Sequence, residues 1–287
     1  MKRLQLYYKL TKPGIIYGNL LMAISGFLLA AEHFHSFTIR RLIGVIFGIS
    51  LVVASACVYN NMLDRGLDQK MARTKNRALV TGEVSASSAL VFASALGLSG
   101  FVILALTANW RTVAISFIAI FSYVVVYGWA KRNTVHGTLV GAVPGAIPPA
   151  AGYVAVSNRF DGGALLLFLI LVLWQMAHFY SIAMYRYGDY KSANLPVMPV
   201  RYGMAATRFQ IMIFIAALML ALACLTAFSY EGYVFLIGSV MLCVYWFVLG
   251  VKIMDVPAKS WGKRMFFTSL IVLIGLSVLI PIGSLLA

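Results

Sequence analysis

The stretch "NNMLDRGLDQKMARTKNRALVTG" carries the densest chemistry in the chain. Asn60, Asp64 and Asp68 recur at every fourth residue, so on a helix they share one face with a drift of about 40° per step. Two carboxylates one turn apart repel unless a cation lies between them. Carboxylate oxygens beside an amide oxygen are hard donors. They suit Mg²⁺, which keeps several waters and takes the rest of its shell from phosphate oxygens. Arg73, Lys75 and Arg77 follow directly. Acid followed by dense base is the arrangement a metal-bound diphosphate needs: carboxylates for the metal, cations for the remaining oxygens. A plainer reading is a solvated basic loop in which Asp64 and Asp68 pair with Arg65 or Lys70. It accounts for the charge but not for a polar face running out of an apolar helix.

The elements that hold these residues read as membrane spans. The chain has 287 residues, 62% of them apolar and 11% charged, against about 25% charged in soluble domains. Its mean hydropathy is +0.90. That excludes a soluble globular protein, a disordered chain, a disulfide scaffold and a zinc-finger array. Cys57, Cys224 and Cys243 sit singly in apolar runs and read as small core residues. A spanning helix needs about 20 mostly apolar residues. Nine such runs are present, at 14–31, 42–63, 87–108, 112–130, 136–156, 163–183, 208–228, 232–251 and 267–285. Pro144, Pro148 and Pro149 predict a kinked or broken fifth helix, tolerated where neighbours or a cavity satisfy the backbone. The first run reads as a retained span rather than a cleaved leader, because its basic segment is long and contains "TKPG". With no linker or low-complexity tract, residues 1–287 read as one membrane domain.

The net charge of +15 would point to nucleic acid in a soluble protein. Here its distribution points to a lipid bilayer and to no nucleic-acid partner. Lys2, Arg3, Lys9 and Lys12 precede the first run, and Arg65, Lys70, Arg73, Lys75 and Arg77 follow the second. Lys131 and Arg132 follow the fourth run, and Arg186, Lys191, Arg201 and Arg208 the sixth. Lys252, Lys259, Lys263 and Arg264 follow the eighth. Only Arg40, Arg41, Arg111 and Arg159 fall on the opposite side. This alternation predicts an all-α bundle of nine transmembrane helices with a cytoplasmic N-terminus and the C-terminus outside.

Among the other acids, Glu32, Asp161 and Glu231 fall in outer loops, where solvation is expected to explain them. Asp189 stands at the inner end of the sixth run between Arg186 and Lys191. In both halves a helix runs inward and ends in an Asp/Arg/Lys cluster, which predicts two clusters facing one cavity.

NxxxDxxxD at 60–68, followed by "ARTKNR", resembles the UbiA-type intramembrane prenyltransferases. "TKPGIIYGN" (11–19), "ARTKNRALVTG" (72–82), "GTLVGAVPGAIPPAAGY" (137–153), "WQMAHF" (174–179) and "YRYGDYKSANLPVMPV" (185–200) are together similar to the heme-modifying branch of that superfamily. The similarity runs from about residue 5 to 205 and fades in the last three helices. Ala177 stands where the branch has proline, and Asp189 is the single acid where most superfamily members carry two. The resemblance implies transfer of a farnesyl group from farnesyl diphosphate to a vinyl group of protoheme IX (heme B) with Mg²⁺, giving heme O. It also implies a bacterial cytoplasmic membrane and downstream heme-handling or terminal oxidase partners.

On that resemblance, Asn60, Asp64, Asp68 and Asp189 would hold the metal, while Arg73, Lys75, Arg77 and Lys131 would clamp the diphosphate. Tyr127 and Lys131 form a YxxxK pair similar to a superfamily motif, with the tyrosine set to bond the leaving group; together with Asp64 and Asp68 they are the expected catalytic residues. Tyr123, Trp174, Phe179, Tyr180 and Tyr185 would shield an allylic cation, or else serve as packing and interface anchors. Arg132, Arg186 and Lys191 would meet the porphyrin propionates. His178 reads as a contact or iron ligand to the acceptor, or as a satisfied buried histidine; His136 as a phosphate contact. Asn19, polar within a span, must face the bundle and reads as a substrate contact. Two other activities compete: the same donor chemistry on another aromatic or tetrapyrrole acceptor, and secondary transport of an anion. Transport fits poorly, because the strong acids and bases lie at one face rather than at the midplane. A purely structural subunit of a respiratory complex would not need the Asn60/Asp64/Asp68 face.

Overall fold

The computed structural model describes residues 2–286, and these hold no strand and nine helices long and apolar enough to cross a membrane. They are α1 (Pro13–His33), α2 (Ile39–Leu63), α3 (Ala86–Thr107), α4 (Trp110–Asn133), α5 (Gly137–Ser157), α6 (Gly162–Tyr185), α7 (Gly203–Ala227), α8 (Tyr233–Lys252) and α9 (Ala258–Leu285). Met1 and Ala287, the ends of the expected single domain, lie outside the described residues. The last helix starts earlier than its apolar run, taking Lys259, Lys263 and Arg264 into its first turns.

Local chemistry starts the helices. Ser85 Oγ accepts from the Ser88 N–H at α3, and Asn109 Oδ1 from the Thr112 N–H at α4. Asp161 accepts from the Gly163 and Ala164 N–H groups at α6, so it is a cap rather than a merely solvated acid. Pro13 opens α1 after Lys12, which adopts the left-handed conformation at φ 54°.

Of the two forms expected for the fifth span, kinked or broken, the break does not occur: Gly137–Ser157 is one continuous helix with all three prolines inside it. It is also the most deeply buried of the nine. Nor does α2 run on through Asp68. It ends at Leu63, Asp64 caps it, and a one-turn helix, Arg65–Asp68, follows.

The helices close into a ring. α1 packs on α2, α5 and α9; α2 lies along α3; α6 touches α5, α7 and α9; α8 fills between α7 and α9. Small residues set a close backbone crossing of α1 with α5. A Cβ on Gly152 would lie 1.9 Å from the Ala23 carbonyl oxygen, and one on Gly26 would lie 2.1 Å from that of Pro149. In hydrocarbon, where apolar surface gains nothing by hiding, such close backbone packing holds helices together. The outer surface is correspondingly apolar: Leu98, Phe117, Leu220, Ile237, Met241 and Ile271 are all more than half exposed.

Glu231 departs from its expected solvated state. It lies in the α7–α8 connection, is 3% exposed, and neither carboxylate oxygen has a partner. Phe235 of α8 and Gly283 of α9 enclose it, and a Cβ on Gly283 would strike Glu231 Oε2. Burial pushes its pKa up to about 9 from 4.5. The folded protein therefore keeps a proton that the unfolded chain loses, and stability falls as pH rises from about 4.5 to about 9. Glu231→Gln, which stays neutral, should lose less melting temperature between pH 5 and pH 9 than the unaltered protein, as read by thermal unfolding in detergent. Equal losses would refute the buried, protonated assignment.

Candidate active site

A cavity of about 570 Å³ occupies the centre of the ring. Its walls come from α1, α2, α4, α5, α6 and α9, and its mouth lies at the end of the bundle where the basic residues collect. Two loops meet over that mouth. Ser192 Oγ donates to the Lys70 carbonyl at 3.1 Å, and Met71 packs with Ala193 and Leu195. The expected convergence of the two inward clusters on one cavity is met in part: Arg73 and Arg77 line it from one loop, but of Arg186, Asp189 and Lys191 only Arg186 does, joined by Tyr190.

Asn60, Asp64 and Asp68 all line this mouth and are 3%, 3% and 5% exposed. Each is met by a cation from a different part of the chain. Lys12 Nζ donates to Asn60 Oδ1 at 2.7 Å, Lys131 Nζ to Asp64 Oδ2 at 2.6 Å, and Arg77 Nη1 to Asp68 Oδ2 at 2.7 Å. The loop pairing with Arg65 or Lys70 does not form. Arg77 also donates to Asn61 Oδ1, whose own amide donates to the Leu10 carbonyl and ties the short helix Lys2–Leu10, which precedes α1, to the site. Burial lowers the Lys12 ammonium to about 8 and raises the Tyr190 phenol, which therefore stays a neutral donor.

Asp64 Oδ1 is buried and accepts no hydrogen bond, with Arg132 3.5 Å away. A bare carboxylate oxygen beside a second carboxylate and an amide fits a hard divalent cation. Among the described residues no third acid, histidine or cysteine joins them in a full protein cage. This donor set suits an ion that draws its remaining shell from water and phosphate. Asp189, expected as a fourth ligand, does not reach the cavity wall; it sits partly exposed on the short helix Tyr187–Ser192. Lys75, His136 and Lys191 are exposed and also stay off the wall. Arg132 stays off the cavity wall as well: its Nη2 donates to the Leu63 carbonyl at the end of α2 and pairs with Asp64 Oδ1 from there.

Behind the polar mouth the chamber is apolar and aromatic. Within α4, a π-helical segment at Ser122–Val126 precedes Tyr127, and Tyr123 stacks on Tyr127 at 5.4 Å. Lys131 Nζ lies 5.8 Å from the Tyr127 ring, so the YxxxK pair faces the mouth. Trp174, Phe179 and Tyr185 of α6 line the chamber, as does Asn19; Tyr180 turns away to Phe214. Lys12, Gln175 and Phe266 line it too, and sequence reasoning did not assign them a role. Lys12 carried a signal in its place before Pro13. Phe266 carried none, being indistinguishable from packing inside an apolar helix.

Residues 19–271 match the UbiA prenyltransferase family. The chain is 43% identical over 283 residues to a protoheme IX farnesyltransferase of Pectobacterium carotovorum, covering 97% of this chain and 94% of that protein. It is 42% identical over 280 residues to the protein of that name from Yersinia pseudotuberculosis, covering 96% and 94%. The similarity thus extends through the last three helices, beyond the reach of the sequence motifs. Among solved structures, a digeranylgeranylglyceryl phosphate synthase superposes with a TM-score of 0.79 at 18% identity, covering all of both chains. A UbiA homologue of Archaeoglobus fulgidus bound to GPP and Mg²⁺ superposes at 0.70 and 15% identity, covering 96% and 99%. Likenesses this remote in sequence establish the nine-helix fold.

In the Lys131–Asp64 pair the carboxylate is buried and the ammonium mostly so. Lys131→Met should therefore lower stability by about 3 kcal/mol by stranding a buried charge. Adding Asp64→Asn should recover most of that loss. Denaturation of both variants in detergent checks it, and an additive double variant would overturn it.

Proposed function

The chain belongs to the UbiA prenyltransferase family, and from that footing we propose that it transfers a farnesyl group from farnesyl diphosphate to a vinyl group of protoheme IX, yielding heme O. The observation that carries this reading is the buried Asn60/Asp64/Asp68 set, flanked by cations, at the mouth of an aromatic chamber. The acceptor follows from the relatives at 42–43% identity over nearly the whole chain.

Farnesyl diphosphate is an allylic ester, and its C–O bond breaks when the departing diphosphate is neutralised. Asp64 and Asp68, with the Asn60 amide, would hold Mg²⁺, which supplies Lewis-acid neutralisation of the leaving group. Lys131 and Arg77 balance the carboxylates, and they lie where a diphosphate would offer them further oxygens. Arg73 lines the mouth with them. Lys12 adds a cation whose lowered pKa reflects its dry setting. Tyr127 donates to the leaving group. The prenyl chain runs into the apolar chamber, where Tyr123, Trp174 and Phe179 present π faces to the allylic cation and keep water from it. Arg186, its guanidinium 4.4 Å over Tyr185, stands on the wall where a porphyrin propionate would be met. Asn19 and His178 face the acceptor deeper in.

The basic end of the bundle faces the cytoplasm in this reading, with the C-terminus outside, in a bacterial cytoplasmic membrane. One domain performs the whole reaction, and the product passes to heme-handling or terminal oxidase partners.

Asp64→Ala and Asp68→Ala should each lower turnover by at least about 10²-fold while the protein stays inserted and monodisperse. The assay is purified protein with protoheme, farnesyl diphosphate and Mg²⁺, with product mass as readout. Undiminished turnover in both variants would overturn the metal assignment. Prenylation of an aromatic acid in place of protoheme would overturn the acceptor.

A further inference from the structure

Farnesylation of a vinyl group leaves a cation beside the porphyrin ring, and in the proposed product, a hydroxyethylfarnesyl porphyrin, that carbon carries a hydroxyl, so a water must reach one carbon of a chamber that otherwise excludes it. Three residues form a polar site deep in that chamber. His178 is 8% exposed and stacks on Trp174 at 4.6 Å and 19°. Its Nδ1 lies 2.6 Å from Ser269 Oγ of α9. Ser269 has one hydroxyl proton, and Oγ sits 2.5 Å from the Phe266 carbonyl, which can only accept. The hydroxyl therefore donates to Phe266 and accepts from His178. That assignment places the imidazole proton on Nδ1 and leaves Nε2 with a bare lone pair and no protein partner. Trp174 Nε1 donates to the Ser269 carbonyl at 2.9 Å and locks the same turn of α9.

Gln175 is one turn before His178 on the same face of α6, and both line the cavity. It is 4% exposed, and its amide nitrogen has no hydrogen-bond partner. Directly opposite is Gly145, where a Cβ would lie 2.2 Å from Gln175 Oε1. Pro148 and Pro149 lack N–H groups, so the carbonyls of Pro144 and Gly145 receive no helical bond. The unpartnered Gln175 amide and His178 Nε2 thus stand one turn apart on the face of α6 that lines the cavity, across from the proline-rich stretch of α5, and buried polar atoms of this kind are satisfied by a bound water.

We propose that Gln175 and His178 hold and deprotonate the water that ends the reaction, with Ser269 as the positioning residue that fixes the imidazole tautomer. This rests on the acceptor reading above. As the farnesyl C1–O bond breaks, its electron pair leaves with diphosphate, and C1 bonds to the terminal vinyl carbon. The vinyl carbon next to the porphyrin ring becomes cationic. The water oxygen bonds to it, and the released proton passes to His178 Nε2. Without a placed water, the cation sheds a proton from the adjoining CH₂ and forms an alkene one water lighter.

The test is the alcohol-to-alkene ratio of farnesylated porphyrin, read by mass on full-length protein in lipid nanodiscs. Gln175→Leu and Ser269→Ala should each lower that ratio by at least about tenfold, and Ser269→Thr should restore it. A variant that merely loosens packing would lower total product and leave the ratio alone. Should Gln175→Leu fail to accumulate, Gln175→Asn, which shortens the side chain, carries the same expectation. An unchanged ratio in glutamine and serine variants that still turn over would overturn this role. Absence of any porphyrin product from the unaltered protein would instead overturn the acceptor reading, and this role with it.

Discussion

Charge in hydrocarbon must be balanced where it stands, and that requirement organises the molecule. Asp64 and Asp68 are almost wholly buried at one end of a nine-helix bundle. Each is stable there only because a cation reaches it: Lys131 from α4 for one, Arg77 from the loop beyond α2 for the other. A third cation, Lys12, comes from before α1 to the amide of Asn60. Segments far apart in the chain are thereby drawn to one point, and the contacts that make the site are also contacts that hold the bundle's basic end closed. A buried pair of this kind adds little net stability over apolar packing, but losing one partner is expensive. Its persistence in a membrane protein is best understood as function.

The chamber behind the pairs solves the opposite problem. A prenyl chain and a flat porphyrin are apolar, and an allylic cation reacts with any water it meets. The ring of helices answers with an aromatic lining and very close backbone packing at the α1–α5 crossing, where Gly26 and Gly152 leave no space for side chains. Three prolines run through α5 without breaking it, and its neighbours enclose it. In the proposed reaction, polar mouth and apolar chamber would divide the steps in space, with ionisation at one end and carbon–carbon bond formation further in.

Much of this was legible from residue order. Nine apolar runs became nine helices, because a backbone in lipid must satisfy its own hydrogen bonds and helices do so locally. The Asn60/Asp64/Asp68 spacing located the mouth, since buried acids in a chain this apolar are rare enough to stand out. The pairing partners were not legible. Arg65 and Lys70, nearest in sequence, stay unpaired with these acids, while Lys131 and Arg77 reach them. Asp189 looked like a ligand by its neighbours, yet the short helix that carries it keeps it off the wall. Glu231 looked solvated by its loop, yet the end of α9 folds over it.

Sequence alone determined the quantities that depend on local composition: the number of spans, the side on which charge collects, and the residue types available for binding a metal-bound diphosphate. Tertiary structure alone decided which cation neutralises which acid, that α9 closes the chamber and supplies Ser269 to His178, and that α5 survives its prolines. Apolar content and helical hydrogen bonding act between near neighbours in the chain, so they can be read in order. Burial, ion pairing and the tautomer of an imidazole depend on groups many residues away, and only the closed bundle brings those groups within reach.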